Sequence, residues 1–408
     1  MKCISDQPQI HLADGFVRLS WTVTVNMSPC RDMRLYLRFL YALGMICARL
    51  DEEKCLLEIS ANSETYAVIY TLSILAGILG CFSYAYFNPD ELFMNVYTKT
   101  GNFYERMNLL RFCVVLCLLH ICLYWRRRRH ILLVETLLKL NRLCSSERTD
   151  RYFMRIFITY SVLFVVSFFN YANGYAQTGL EQVAILVYVA IYTYGFLSMS
   201  LLVVFFVCLQ RIIAAGLAYY NQKLDANDSS TNCRRVLVER QRLLSLITGE
   251  LNNCFGLLML PIVPLILLMA PTGPLYLLST AMEGKFHNFF QISIVSITAS
   301  LWSVPWLAVM TLLMRSNFIT VEANKTAKIL AKIPRTGSGL DKMVEKFLLK
   351  NLRQQPILTA YGFFALDKST LFKLFTAIFT YMVILVQFKE MENSTKSLQK
   401  AQLNFADT

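Results

Sequence analysis

The chain has 408 residues, 55% hydrophobic and only 16% charged, with a mean hydropathy of +0.44. Soluble domains carry roughly a quarter charged residues, so a soluble globular domain is excluded and an integral membrane protein remains. The net charge of +13 would suit nucleic acid if it were gathered on one surface; instead the basic residues sit between apolar segments, where they set topology.

Residues 1–30 hold Asp6, Asp14 and Arg18 but no compact apolar core with a small-residue cleavage site. No cleavable signal peptide is expected, and the first spanning helix serves as its own insertion signal. Arg34 to Leu50 reads as a short amphipathic helix, with Leu35, Leu37, Leu40, Leu43 and Ile46 interrupted by Arg34, Arg38 and Arg49. It suits the membrane surface or a contact with the bundle, within a cytoplasmic segment over 1–64. A run of about 20 apolar residues crosses the ~30 Å hydrocarbon core. Seven such runs follow, at 65–87, 108–125, 153–174, 182–210, 253–279, 287–314 and 370–388. The fifth contains Pro261, Pro264, Pro271 and Pro274, which predicts kinks whose freed carbonyls need partners on neighbouring helices.

Lysine and arginine between the runs fix the orientation. Eight fall in 126–151, including Arg126 to Arg129, six in 211–252 and ten in 315–369. Against these, 88–107 has two, 175–181 none, 280–286 one and 389–408 three. The alternation predicts a cytoplasmic N-terminus and an extracellular C-terminus. The cytoplasmic stretches carry helical patterns of their own. Leu237, Leu244 and Leu251 stand at heptad spacing with Leu243 and Ile247 beside them, and Leu340, Met343, Val344, Phe347, Leu348 and Leu352 repeat the pattern. Helices extending below the membrane into a packed bundle are expected, rather than helices lying on the inner leaflet. Asp225 to Asn232, rich in Asp, Asn and Ser, reads as a loop.

None of the twelve cysteines lies beyond Cys254, and all fall in predicted helices or on the cytoplasmic side. Reduced thiols are expected. Cys113 and Cys117, four apart on an apolar run, read as packing residues rather than a metal pair. His11, His120, His130 and His287 are scattered, and neither HExxH nor a Gly-rich phosphate loop occurs. The chain is therefore not read as an enzyme, and no catalytic residue, metal or cofactor is expected.

The last apolar run carries the most specific pattern. At ~100° per residue, Ser369, Thr376, Thr380 and Gln387 fall within about 40° of one meridian, with Lys373 on the same stripe. Polar residues inside a membrane face a bundle interior or water, so several copies around an axis could line an aqueous pore. Ser and Thr also mark close helix packing, and periodicity alone leaves both readings open.

The run Thr380-Tyr381-Met382-Val383-Ile384-Leu385-Val386-Gln387-Phe388 resembles the TYhhhhhQF signature of the insect gustatory receptor family, where h is hydrophobic. Upstream, Ala360-Tyr361-Gly362-Phe363-Phe364-Ala365-Leu366-Asp367 is similar to that family's G-F-F-x-L-D lead-in. The resemblance implies an all-α membrane protein with seven transmembrane helices, assembled as a tetrameric ligand-gated cation channel related to insect odorant receptors. It implies that 65–314 forms a six-helix ligand-binding bundle, 315–369 the assembly helices, 370–388 the pore helix and 389–408 an extracellular tail. Gln387 and Phe388 would form the constriction, with Thr376, Thr380, Val383 and Ile384 along the wall. Tyr381, some 120° from Gln387, would pack on a neighbouring helix, its hydroxyl bonded there, and Lys373 would snorkel toward the cytosolic interface.

The same resemblance implies a pocket in the outer halves of helices two to six, with Asn108, Arg111, Asn170, Tyr171, Tyr188, Tyr192, Tyr276, His287, Asn288 and Gln291 as candidate linings. Aromatics with a few polar anchors fit small organic tastants, sugar and bitter compound alike. A plasma-membrane location in sensory neurons, and a homo- or heterotetramer with related subunits, follow as expectations. A G-protein-coupled receptor is the first rival, because Asp150-Arg151-Tyr152 spells D-R-Y. That triplet precedes the third run here, no N-P-x-x-Y lies in the last run, and the topology is inverted. A secondary transporter would need ionisable groups at mid-membrane and related halves, and the runs carry neither.

Overall fold

The structure is a computed structural model. It describes residues 61–88, 99–143, 182–225, 230–282, 289–315, 317–332 and 358–406, four short strands before residue 59, and scattered positions in 37–46, 155–169 and 342–346. Nine described helices are α1 (Ala61–Phe87), α2 (Lys99–Trp125), α3 (Arg127–Leu143), α4 (Gln182–Asp225), α5 (Ser230–Met269), α6 (Thr272–Met282), α7 (Phe289–Arg315), α8 (Phe318–Lys332) and α9 (Lys368–Ala406). Before them lie two antiparallel hairpins. β1 (Gln9–Ala13) pairs with β2 (Phe16–Ser20), which sets His11 opposite Arg18, and β3 (Arg49–Asp51) pairs with β4 (Leu56–Glu58). Helix dominates, as expected, and these hairpins are the addition to an all-α reading.

Among the described residues, six helical stretches are long and apolar enough to cross a membrane: Glu64–Phe87, Arg106–Trp125, Val189–Asp225, Cys233–Leu275, Trp302–Lys332 and Lys368–Leu398. The expected run at 153–174 lies largely outside the described residues; Arg155, Ile158, Thr159, Val162, Val165, Val166, Phe168 and Phe169 within it are helical.

The core forms around α4. Every residue from Leu201 to Leu209 is buried, which marks a helix apolar all round and enclosed by neighbours. Helices α3, α5, α7 and α8 pack around it. On the periphery Ile69, Leu72, Leu79 and Phe87 of α1 are exposed, an apolar surface that hydrocarbon solvates and water would not.

Several expectations are corrected. The amphipathic helix over Arg34–Leu50 is cut short, because Gly44 adopts a φ of +66° and Met45 N–H donates to the Leu40 carbonyl at 2.9 Å. Arg49 and Leu50 then belong to β3. Leu37, Leu40, Met45 and Ile46 are buried in the main core, so this segment contacts the bundle. The basic stretch after Trp125 is not a loop: α3 buries Ile131, Val134, Leu137 and Leu138 at helical spacing. The loop expected over Asp225–Asn232 is shorter, since α5 starts at Ser230. Leu340, Met343, Phe347, Leu348 and Leu352 lie outside the described residues, whereas Val344 is helical and packs on a cluster of Leu224, Cys233, Leu237 and Leu330.

The end of the bundle that carries Arg126–Arg129 holds a buried polar group. Asn221 of α4 donates through Nδ2 to the Glu322 carbonyl of α8 at 3.0 Å and accepts from Thr326. Arg240 of α5 is fully buried beside Glu322.

Pro261 and Pro264 sit inside a continuous α5, and the chain breaks instead at Ala270-Pro271. Ser303 of α7 closes that break. Its hydroxyl donates to the Ala270 carbonyl at 2.6 Å and accepts from the Gly273 amide at 3.2 Å. A Cβ on Gly273 would meet the Ala299 carbonyl oxygen at 1.9 Å, so only glycine lets α6 come this close. Ser303→Ala should cost about 1–3 kcal/mol by leaving a buried carbonyl without a donor, read as a lower Tm of the detergent-solubilised protein.

Candidate functional site

The segment Leu358–Asp367 folds into a tight hairpin that leads into α9. Leu366 N–H donates to the Leu358 carbonyl at 2.8 Å and Ala360 N–H to the Phe364 carbonyl at 2.9 Å. Two successive residues turn the chain with positive φ, Tyr361 at +53° and Gly362 at +83°. Glycine meets that demand without steric cost, whereas Tyr361 is strained there. The hairpin is clamped from outside. Asn252 Oδ1 accepts from Thr359 N–H at 3.2 Å, and the Arg126 guanidinium, bonded to the Asn253 carbonyl, lies 5.7 Å from the Tyr361 ring centroid. Asp367 then caps α9: its Oδ1 accepts from Thr370 N–H at 2.7 Å, which satisfies an orphan donor and places negative charge at a helix N-terminus.

Along α9 one face belongs to the bundle and the opposite face does not. Leu371, Leu374, Ile378 and Met382 pack on the main core. Helix periodicity puts Thr376, Thr380 and Gln387 about 180° from that row, and all three are exposed, as are Val383, Ile384 and Phe388. Thr376 donates to the Phe372 carbonyl at 3.1 Å and Thr380 to the Thr376 carbonyl at 3.0 Å. Tyr381 is half-buried at the border of the two faces, and Lys373 is exposed one turn into the helix. The helix runs to Ala406, well past the expected end at 388.

Two of the candidate ligand residues, Asn108 and Tyr192, have buried side chains next to Phe112. Asn108 and Phe112 lie one turn apart on α2, and the Tyr192 ring of α4 is tilted 56° to the Phe112 ring with centroids 5.0 Å apart. Trp306 of α7 stands edge-on to Phe112 at 6.1 Å and to Phe196 at 5.0 Å, completing a buried aromatic box. Asn108 is 3% exposed, and its Oδ1 has no hydrogen-bond partner among the described residues. Arg111 is half-exposed on the same helix. Tyr188, Tyr276 and Gln291 lie on helices α4, α6 and α7, their side chains not described, while Asn170, Tyr171, His287 and Asn288 fall outside the described residues. Phe112, Phe196 and Trp306 escaped the sequence reading, because an aromatic inside an apolar run carries no mark separating box from packing.

The buried histidines act as packing residues. His120 Nε2 and the Tyr194 hydroxyl oxygen lie 2.8 Å apart, joining α2 to α4. His130 places Nδ1 2.9 Å from the Arg126 carbonyl and Nε2 3.1 Å from the Cys254 carbonyl, joining α3 to α5. Burial lowers the His130 pKa, against the two carbonyls that favour its charged form. Among the described residues no group of His, Cys, Asp and Glu could hold a metal, and Cys113 and Cys117 are free thiols.

A helical bundle with six stretches long and apolar enough to cross a membrane among the described residues defines a polytopic membrane protein. Residues 33–392 match the 7tm Chemosensory receptor family. The chain is 52% identical over 371 residues to Gustatory and pheromone receptor 39a, isoform A, of Drosophila melanogaster, covering 91% of this chain and 99% of that protein. Among solved structures, the fold is similar to the olfactory receptor OR5 of the insect Machilis hrabei, with a TM-score of 0.55 and 12% identity over 88% of this chain and 99% of that one. The complex of OR5 with eugenol gives a TM-score of 0.53 at 12% identity over the same shares. The chain belongs to the seven-transmembrane chemosensory receptor family, on its gustatory receptor side, and is not an enzyme.

The clamp on the hairpin makes a sharp prediction. A Cβ on Gly256 would meet Tyr361 N at 2.7 Å and the Thr359 carbonyl oxygen at 2.9 Å, whereas one on Gly249 would meet nothing within 4 Å. Gly256→Ala should therefore destabilise the protein by about 1–3 kcal/mol through overpacking. Gly249→Ala on the same helix should hold or raise Tm by removing a helix-interior glycine. Equal melting of the two variants would refute the clamp.

Proposed function

We propose that the chain is one subunit of a tetrameric, ligand-gated, non-selective cation channel opened by a small organic tastant. One observation carries the reading: the polar stripe of α9 points away from the bundle that packs its other face. A single subunit leaves Gln387 toward lipid, and four subunits around an axis would give it water. Gln387 and Phe388 then form the constriction, with Ile384, Val383, Thr380 and Thr376 below it. Narrowness and dewetting of that ring hold the closed state against hydrated ions, and a ligand opens it to the extent that it binds the open state better.

The ligand site in this reading is the aromatic box with Asn108 and Tyr192. Its apolar walls and lone amide oxygen suit a small organic molecule, and the insect olfactory receptor of similar fold has been solved with eugenol bound. The N-terminus and the basic loops face the cytoplasm, the C-terminus faces outward, and the channel resides in the plasma membrane of a sensory neuron. Partner subunits are copies of this chain or related receptors.

Expression in a cell without other receptors, with currents recorded against a panel of sugars and bitter compounds, tests the proposal. A current that persists without any solute gradient separates channel from carrier, and glycosylation tags on both termini test the orientation. Gln387→Ala and Phe388→Ala should change conductance or basal opening while surface expression stays intact; unchanged currents in both remove them from the gate. Asn108→Ala should raise the half-maximal tastant concentration about two- to tenfold, the worth of one hydrogen bond, without changing single-channel conductance.

A further inference from the structure

Helix α9 spans 39 residues, about 58 Å at 1.5 Å per residue, against a hydrocarbon core of ~30 Å. Its last turns therefore project beyond the membrane on the side of Gln387 and Phe388. Those turns are not uniformly polar. Met391, Leu398 and Phe405 stand seven residues apart, in register with Ile384, and Ser394 and Ala401 fill the alternate positions of the heptad. Met391 is 60% exposed and Leu398 66%, so the subunit's own bundle does not cover these two.

The row's direction identifies what covers it. At ~100° per residue, Met391, Leu398 and Phe405 lie within about 40° of the meridian of Thr376, Thr380 and Gln387. Lys389, Glu392, Lys396 and Lys400 cluster on the opposite side, where Lys396 pairs with Glu392 at 3.0 Å. An axis that gathers the polar stripes of several subunits gathers their apolar rows directly above. Large apolar residues at one core position of the heptad, small ones at the other and charges on the outer face suit a bundle of parallel helices around that axis.

We propose that residues 389–406 of four copies of this chain form a parallel helical bundle capping the pore on the Phe388 side. The inference rests on the pore reading of α9 and adds a second, water-exposed interface to it. Bundling the ends closes the axis above Phe388, so ions pass between the helices just below Met391 rather than along the axis.

Full-length protein in membranes carrying Leu398→Cys, or Lys396→Cys on the outer face, tests this with a short bismaleimide, wild type giving the native-cysteine background. Leu398→Cys should give dimers and higher species, with Lys396→Cys at the wild-type level. Crosslinking equal at the two positions, or absent from Leu398→Cys, overturns the bundle. Absent crosslinking with a bimane on Leu398→Cys quenched from the lipid phase also overturns it and assigns the row to the membrane surface. The pore reading is tested separately by Gln387→Cys. If a charged methanethiosulfonate alters its current while Leu398→Cys does not crosslink, the pore stands and the bundle falls. If Gln387→Cys is inert, the pore reading itself falls.

Discussion

A side-chain amide has four hydrogen-bonding positions and no cheap place in hydrocarbon, and α9 carries one at Gln387 on the face its own subunit leaves bare. The hydroxyls beside it pose a smaller problem. Thr376 and Thr380 donate back to carbonyls of their own helix, a local solution that tolerates lipid. Gln387 makes no hydrogen bond among the described residues, so it alone decides whether that face needs water. The packed row of Leu371, Leu374, Ile378 and Met382 fixes the rotation of the helix, and that rotation sets the amide outward.

The two ends of α9 are held in different ways. Its start is capped by Asp367 and fed by a hairpin that Gly256, Asn252 and Arg126 pin to α5 and to the corner between α2 and α3. Further along, α9 touches α6 and α7, beside the break that Ser303 closes. A displacement of α5 relative to α7 therefore reaches α9 at both places. Phe112 and Trp306 of the aromatic box lie on α2 and α7, and α7 is one of the helices that touch α9.

The spanning runs were legible because twenty apolar residues in succession have few other uses, and six of the seven expected runs coincide with described helices. What the sequence hid lies where helix continues without hydrophobicity. Lys99 to Met107, Arg211 to Asp225 and Lys389 to Ala406 are polar enough to end a hydropathy run, yet backbone hydrogen bonding does not stop at the membrane surface. Helix α3 was masked by the run Arg126–Arg129, although Ile131, Val134 and Leu138 already stood at helical spacing. Gly44 was an available stop signal for the amphipathic segment, since a positive φ ends a helix there. The stripe on α9 was readable from spacing; which way it faces was not, because that depends on which row the neighbours bury.

Helix α4 shows why the polar contacts matter more than their number. A helix that is apolar all round packs as well in one rotation as in the next, and lipid gives no hydrophobic force to choose between them. The choice falls to contacts with direction. At one end Asn221, Thr326 and Glu322 fix α4 against α8. Toward its other end Gly195 admits the Phe112 ring where a Cβ would stand 2.2 Å from it, and the adjacent Tyr194 reaches His120. Each fixes a rotation that the buried run from Leu201 to Leu209 leaves free. Because Phe112 is at once the ring that Gly195 admits and a wall of the aromatic box, the contact that orients α4 also shapes that box.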